Sequence, residues 1–258
     1  DESAEVMLDD KTLLTGTVTA GDPGAMKIES PVIRETAPID LARVSYINPP
    51  PEVSGRGLKL NARVNVGAAR YTGNTDTQTV HVDGEAVARS LVNRYTVGAI
   101  YNQSEDNGVE TANNSTGYMK YDHFFSEKWY GYVNGIFNKD DFKDLNLRTA
   151  IGPGVGYQVF ESEEMNLALE GGLNYVNEDF IVAPDDDYAA GRWALNFDRY
   201  LIPEKLQFFH AHELLLGLED TNNLLPLTQT GLRVPLFSVI TGTAQINYDW
   251  DKSPPLGT

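Results

Sequence analysis

Cysteine is absent from the 258-residue chain, which excludes a disulfide framework and a thiolate metal site and fits an oxidising envelope compartment. Long apolar runs are missing too. Nowhere do about 18 consecutive apolar residues occur, so no transmembrane helix is encoded. Strands are not excluded, because a membrane-spanning strand needs only about 9–11 residues and turns every second one to lipid. The mean hydropathy of -0.33 fits such a barrel and a soluble protein equally well. Basic residues are scarce: 20 Lys and Arg stand against 37 Asp and Glu, for a net charge of -17. Binding to a phosphate backbone needs clustered cations, so nucleic acid is excluded as a partner. The opening Asp1-Glu2-Ser3-Ala4 holds no secretory signal and suits the residues that follow a removed one.

What is present is strand pattern throughout. Over 5–47 it is short: Val6-Met7-Leu8, then 13–20, 25–30 and 42–47, separated by turn residues at Asp9-Asp10-Lys11 and Gly21-Asp22-Pro23-Gly24. This predicts a compact five-stranded or SH3/Sm-like module over 1–50. Pro49-Pro50-Pro51 ends it, and 51–57 reads as an extended Pro-rich linker. From Leu58 the strands lengthen and alternate strictly. Leu58, Leu60, Ala62, Val64, Val66 and Ala68 oppose Lys59, Asn61, Arg63 and Asn65. Leu167, Leu169, Leu173 and Tyr175 oppose Asn166, Glu170 and Asn174, and Ile246, Tyr248 and Trp250 oppose Gln245, Asn247 and Asp249. Ordinary strands average about 5–6 residues, and long alternating ones are the weak signature of membrane barrels.

We count about eleven such strands between 58 and 250, and their connections alternate in kind. Those at 72–76, 103–113, 139–144, 177–186 and 218–225 are polar and often long, whereas those at 90–92, 125–127, 160–163, 200–204 and 237 are tight. Short periplasmic turns and long outer loops have this parity. Aromatic residues gather near the inferred strand ends, and Trp129, Tyr130, Tyr157, Tyr175, Tyr248 and Trp250 are expected to form girdles at the membrane interfaces. The fold expected is all-β: the small module followed, over 58–258, by an antiparallel transmembrane barrel of about twelve strands. A closed bacterial barrel has an even strand number, so the twelfth is expected to be missing after 250.

The hairpin Gly67…Tyr71-Thr72-Gly73-Asn74-Thr75-Asp76-Thr77, the segment Tyr118…Tyr121-Asp122…Trp129-Tyr130-Gly131-Tyr132, and Asp144…Leu147-Arg148…Gly152…Gly154-Val155-Gly156-Tyr157 follow one another in an order that resembles the salt-induced (YdiY-like) outer-membrane protein family. The resemblance covers roughly 58–250. The stretch Leu8-Asp9-Asp10-Lys11-Thr12-Leu13-Leu14-Thr15-Gly16 is similar to the small periplasmic module that precedes some such barrels. It implies an outer-membrane barrel with a periplasmic module, and it supplies neither solute nor partner.

The inward face is expected to carry Lys59, Arg63, Arg94, Arg148, Arg192 and Arg233 with Asp83, Glu85, Asp122, Glu170, Asp198 and Glu213. In a narrow lumen mixed charges pair, giving a salt-bridged plug, and the competing reading is a selective constriction. Asp185-Asp186-Asp187 is a weak candidate for a hard divalent cation, without EF-hand spacing. His81, Asp83 and Glu85 share a strand face, but His81 and Asp83 lie about 6–7 Å apart along it. His210 and His212 share theirs with Leu206, Phe208 and Leu214, and neither Gly-x-Ser-x-Gly nor His-Glu-x-x-His occurs. The chain is read as no enzyme and without cofactor. Two functions stand: an envelope structural or interaction protein whose residues 1–56 bind a periplasmic partner or another copy, and a narrow porin-like channel. An outer-membrane hydrolase and a soluble ligand-binding barrel rank below both. The expected surroundings are outer-membrane lipid and lipopolysaccharide.

Overall fold

The computed structural model describes residues 3–30, 38–74, 76–162, 164–237 and 240–250. The chain divides into two compact units, one of Asp1–Leu60 with Ala88–Val92 and one of Asn61–Val87 with the residues from Asn93 on.

The first unit holds strands β1 (Ser3–Leu8), β2 (Leu13–Ala20), β3 (Ala25–Glu29), β4 (Ile39–Asp40) and β5 (Val44–Ile47). They form one antiparallel sheet in the order β4-β3-β2-β1-β5, so the last strand returns to pair with the first. Alternation selects the core: Val6, Leu8, Met26 and Ile28 are buried, with Leu14, Val18, Ile39 and Val44 packed against them. A side chain at Gly16 would sit 2.2 Å from the Glu29 carbonyl oxygen, so this position on β2 admits only glycine. The turn after β1 relies on Lys11 at φ 66 and is clasped by Arg43, whose Nη2 lies 3.2 Å from Asp9 and 2.9 Å from Asp10. The prolines behave differently from the extended linker expected. Pro50 caps and Pro51 starts a one-turn helix, α1 (Pro51–Ser54), which ends at Gly55 with φ 74. Proline's fixed φ near -65° suits the first helical turn as well as it suits an extended chain.

The second unit is built on an eleven-stranded sheet whose strands lie side by side in chain order. These are β6 (Lys59–Tyr71), β7 (Thr77–Arg89), β8 (Asn93–Asp106), β9 (Val109–Phe124), β10 (Trp129–Asp140), β11 (Leu145–Glu161), β12 (Met165–Phe180), β13 (Asp186–Ile202), β14 (Leu206–Gly217), β15 (Leu224–Phe237) and β16 (Ile240–Asp249). The first and last strands come together, since Thr243 Oγ1 on β16 donates to Asn65 Oδ1 on β6 at 3.2 Å. The sheet is therefore a nearly closed antiparallel barrel. A twelfth strand after 250 falls outside the described residues.

One connection departs from the expected pattern. The polar stretch 103–113 is no loop: β8 and β9 run on through it and join at Asn107 (φ 52) and Gly108 (φ 80). Two successive positive φ values make a type I′ turn, whose right-handed twist matches paired strands and whose preferred sequence is Asn-Gly. The signal was in the sequence and was outweighed by the polarity around it.

Truncating Ile28, 1 % exposed, to Ala should cost the module about 2–5 kcal/mol, seen as faster hydrogen exchange in β1–β3. Asp10 is held below its ordinary value of 3.8, chiefly by hydrogen bonds from Thr12 and then by Arg43. A depressed carboxylate stabilises above the ordinary range and loses that contribution as pH falls through its own lower value. Asp10→Asn should accordingly blunt the acid sensitivity of the module in a pH series of thermal melts.

Candidate functional site

Alternation gives each barrel strand an outward and an inward face. The outward one is apolar and open, with Val66 73 % and Ile246 76 % exposed and Val97, Val133, Ile151, Leu173 and Trp193 also exposed around the wall. Exposed apolar side chains around the wall are uncommon on a soluble monomer and are consistent with an outer-membrane barrel. Trp129 and Tyr157 face outward, paired across β10 and β11 with ring centroids 4.8 Å apart. Tyr95 and Tyr121 form a second outward pair at 5.1 Å. Tyr175 and Tyr248 are exposed nearer the other end.

One residue expected in these girdles is elsewhere. Tyr130 is fully buried inside the barrel, as it must be if its chain neighbour Trp129 faces out. Trp250, beyond the last residue of β16, is 45 % exposed and also borders a cavity of about 60 Å³ lined by the inward Leu215, Leu225 and Leu227.

Inside, the charges form a network across the lumen. Glu170 on β12 is 1 % exposed and is the centre. It pairs with Lys120 from β9, accepts a hydrogen bond from the Tyr130 hydroxyl at 2.8 Å, and takes another from Arg192 Nη1 at 2.8 Å. Arg192, on β13, also donates to Tyr132 Oη at 2.8 Å and makes a two-pronged pair with Glu213 at 2.8 and 3.1 Å. Lys120 lies 3.5 Å from the fully buried Asp122, whose other oxygen accepts from Arg94 Nε at 2.5 Å. Arg94 reaches on to Gln158 on β11 at 2.9 Å. Three of these links join strands three apart in the sheet, about 14 Å along the wall at a strand spacing of 4.7–4.9 Å, so they are chords across the interior. Arg94, Lys120 and Arg192 balance Asp122, Glu170 and Glu213, and the cluster is neutral.

Room for it comes from glycines on the inner wall. Tyr130 is paired with Gly156, Tyr132 with Gly154 and Tyr118 with Gly98. A Cβ on any of these glycines would lie 2.1–2.2 Å from the tyrosine ring opposite. The rings thus lie flat on the backbone and carry their hydroxyls inward, those of Tyr118 and Tyr130 to Glu85 and Glu170 and that of Tyr132 to Arg192.

The remaining expected residues fall into smaller groups. On β6 and β7, Arg63 bonds Glu85 at 3.3 Å, Asn65 donates to Asp83 at 2.9 Å, and Tyr118 donates to Glu85 at 2.8 Å. His81 and Asp83, separated along their strand, nonetheless meet: the side chains bend together to 2.9 Å between Nε2 and Oδ1, and Nδ1 lies 2.5 Å from Asn102 Oδ1. Arg148 pairs with Glu178. Asp198 accepts from Asn166 at 3.2 Å and Gln207 at 2.9 Å, while Arg233 lies on the Phe209 ring, 3.8 Å from its centroid. Lys59 is exposed at the start of β6 and joins no ion pair among the described residues. Gly73 and Asn74 are in the β6–β7 connection, and Thr75 lies outside the described residues. The three aspartates serve local structure: Asp185 accepts from the Phe180 amide, Asp186 from that of Asp187, and Asp187 from the Tyr175 hydroxyl. Among the described residues no group of three or more His, Asp or Glu is placed to hold a metal ion.

Lys120 and Glu178 were not anticipated, though each shares parity with a residue that was, Asp122 and Glu170. A larger omission is apolar. Ile136, Ala150, Val176, Tyr188, Ala190, Leu215 and Leu225 are buried together on inward positions of β10–β15, making a largely apolar layer within the lumen. Strand direction places it beyond the ionic network, towards the end where the β10–β11, β12–β13 and β14–β15 connections lie. Buried Asn134 and Asn174 occupy inward positions between the two layers.

Fold and surface together define a nearly closed antiparallel β-barrel with a separate small N-terminal β sheet, an architecture consistent with an outer-membrane protein. The family described as protein of unknown function, DUF481, matches residues 64–258, most of the chain, and the protein belongs to it. No curated protein matches the chain.

Removing Glu170 leaves Lys120 and Arg192 facing each other in the interior. Glu170→Leu should destabilise the barrel by about 3–5 kcal/mol in a urea titration of the folded protein, whereas Lys59→Leu should change it little. Gly156→Val, which evicts the Tyr130 ring, should also lower the midpoint.

Proposed function

We infer that this protein is a sealed outer-membrane barrel with a structural or interaction role in the envelope of a Gram-negative cell, its N-terminal module facing the periplasm. The observation that carries this reading is the double closure of the lumen. Lys120 reaches across the lumen to Glu170 and Arg94 to Gln158, and an apolar layer lies beyond them. An ion would have to displace Lys120 or Arg192 from a carboxylate and then pass a largely apolar layer, which a selective pore avoids. With the lumen closed, contact with other envelope components falls to the surfaces. In the module, Tyr46 and Ile47 on the edge strand β5 are about half exposed and suit a periplasmic partner or another copy of the chain. Narrower kinship with the salt-induced (YdiY-like) barrels rests on the hairpin and Gly-x-Gly-x-Gly-Tyr segments and belongs to the same proposal.

The test is conductance of the refolded full-length protein in planar lipid bilayers. Silence is expected from the wild type, and from Arg148→Ala as well, because the apolar layer remains when the Arg148–Glu178 pair is removed. Reproducible steps from the wild type, with ion selectivity that shifts in Arg148→Ala, would make the porin-like reading the correct one.

A further inference from the structure

The outward face is largely apolar, and on β14 and β15 a polar group sits among its apolar side chains. His210 and His212 point away from the lumen there, their parity opposite to that of Phe209, Ala211 and Glu213. Their Nδ1 atoms lie 2.7 Å from Thr230 Oγ1 and 2.9 Å from Thr228 Oγ1, the residues directly across on β15. The rings are parallel within 5°, their centroids 6.5 Å apart. This quartet is not at a membrane edge. Along β14 it is bracketed by outward Leu206 and Phe208 on one side and Leu214 and Leu216 on the other, and along β15 by Leu224 and Pro226 and by Leu232 and Val234. Leu195 and Phe197 flank it on β13, Ile246 and Tyr248 on β16.

Each imidazole has a second nitrogen, Nε2, and no described residue supplies a partner for it. Lipid tails have neither donors nor acceptors, so a polar atom at this depth carries a free-energy penalty unless protein meets it. Ionisable side chains inside the bilayer mark contact or transport sites, and these two face away from the lumen. We propose that the β14–β15 face is a homodimer interface within the membrane, centred on His210 and His212. The chemistry is self-complementary. All copies insert with the same polarity, so a two-fold axis along the membrane normal brings equal depths together. One imidazole then donates its Nε2–H to the Nε2 lone pair of its counterpart, while Thr228 and Thr230 fix the rings by accepting from, or donating to, Nδ1. The surrounding Leu, Phe and Ile side chains form the dry rim that makes a central polar contact effective.

The proposal rests on the membrane reading and is independent of whether the lumen conducts. The chain has no cysteine, so single cysteines report contacts without background. Full-length Leu214→Cys and, as a control on a distant outward strand, Val133→Cys would be refolded into phosphatidylcholine vesicles, floated, and oxidised. At least tenfold more disulfide dimer is expected from Leu214→Cys. That excess should fall severalfold when His210→Leu and His212→Leu are added, in protein that keeps the heat-modifiable migration of a folded barrel. Equal crosslinking of the two cysteine variants would overturn the dimer, as would an excess unchanged by the histidine replacements. Failure to float with the vesicles would instead overturn the membrane reading beneath it.

Discussion

A carboxylate buried inside a membrane barrel survives only if cations and donors meet it there, and the interior is arranged around one that does. Glu170 meets Lys120, Arg192 and Tyr130, each from a different strand. The arrangement ties β9, β10, β12 and β13 into one unit, and through Glu213 and Asp122 it reaches β14 and β8. Desolvation makes such a network a poor source of net stability compared with well-packed apolar groups. What it does secure is register. Sliding one strand by a single residue would turn its charged member out into lipid and leave the partner unpaired inside.

The small residues follow from the same constraint. Inward tyrosines reach the ionic network only by lying across the adjacent strand, and Gly98, Gly154 and Gly156 are where they cross. The apolar layer of Ile136, Val176 and Leu215 completes the filling without further charge. A polar interior alone would admit water, and an apolar one alone would give strands no alternation to choose their faces by. Stacked along the barrel, the two layers fill the lumen and still leave the sequence its period of two.

Much of this was legible. Alternation in Leu58–Ala68 or Leu167–Tyr175 identifies long strands, and the inward charges come out at Arg94, Asp122, Glu170, Arg192 and Glu213 because parity decides the face without any knowledge of partners. What parity cannot give is distance. It places His81 and Asp83 on one face but not the bend that brings them to 2.9 Å, and it puts Lys120 inside without showing that it spans three strands to Glu170. Polarity misled in one place. The acidic stretch after Gln103 read as a loop, although Asn107-Gly108 is a hairpin turn. Ile136 and Leu215 drew no assignment, since a reading that looks for charges inside a barrel has no place for an apolar plug. Tyr130 and Trp129 were both given to the girdle although adjacent strand residues face opposite ways.

The closed lumen is the central claim, and access to its apolar layer probes it directly. Ala150 is 1 % exposed and faces the interior, in a chain without cysteine. The measurement is the rate at which Ala150→Cys reacts with a small charged thiosulfonate reagent in the folded, membrane-inserted protein, against the same variant unfolded in urea. A sealed barrel predicts protection by at least a hundredfold from either side of the membrane. Labelling of the folded protein at a rate close to that of the unfolded chain would mean a water-filled lumen and would contradict the account.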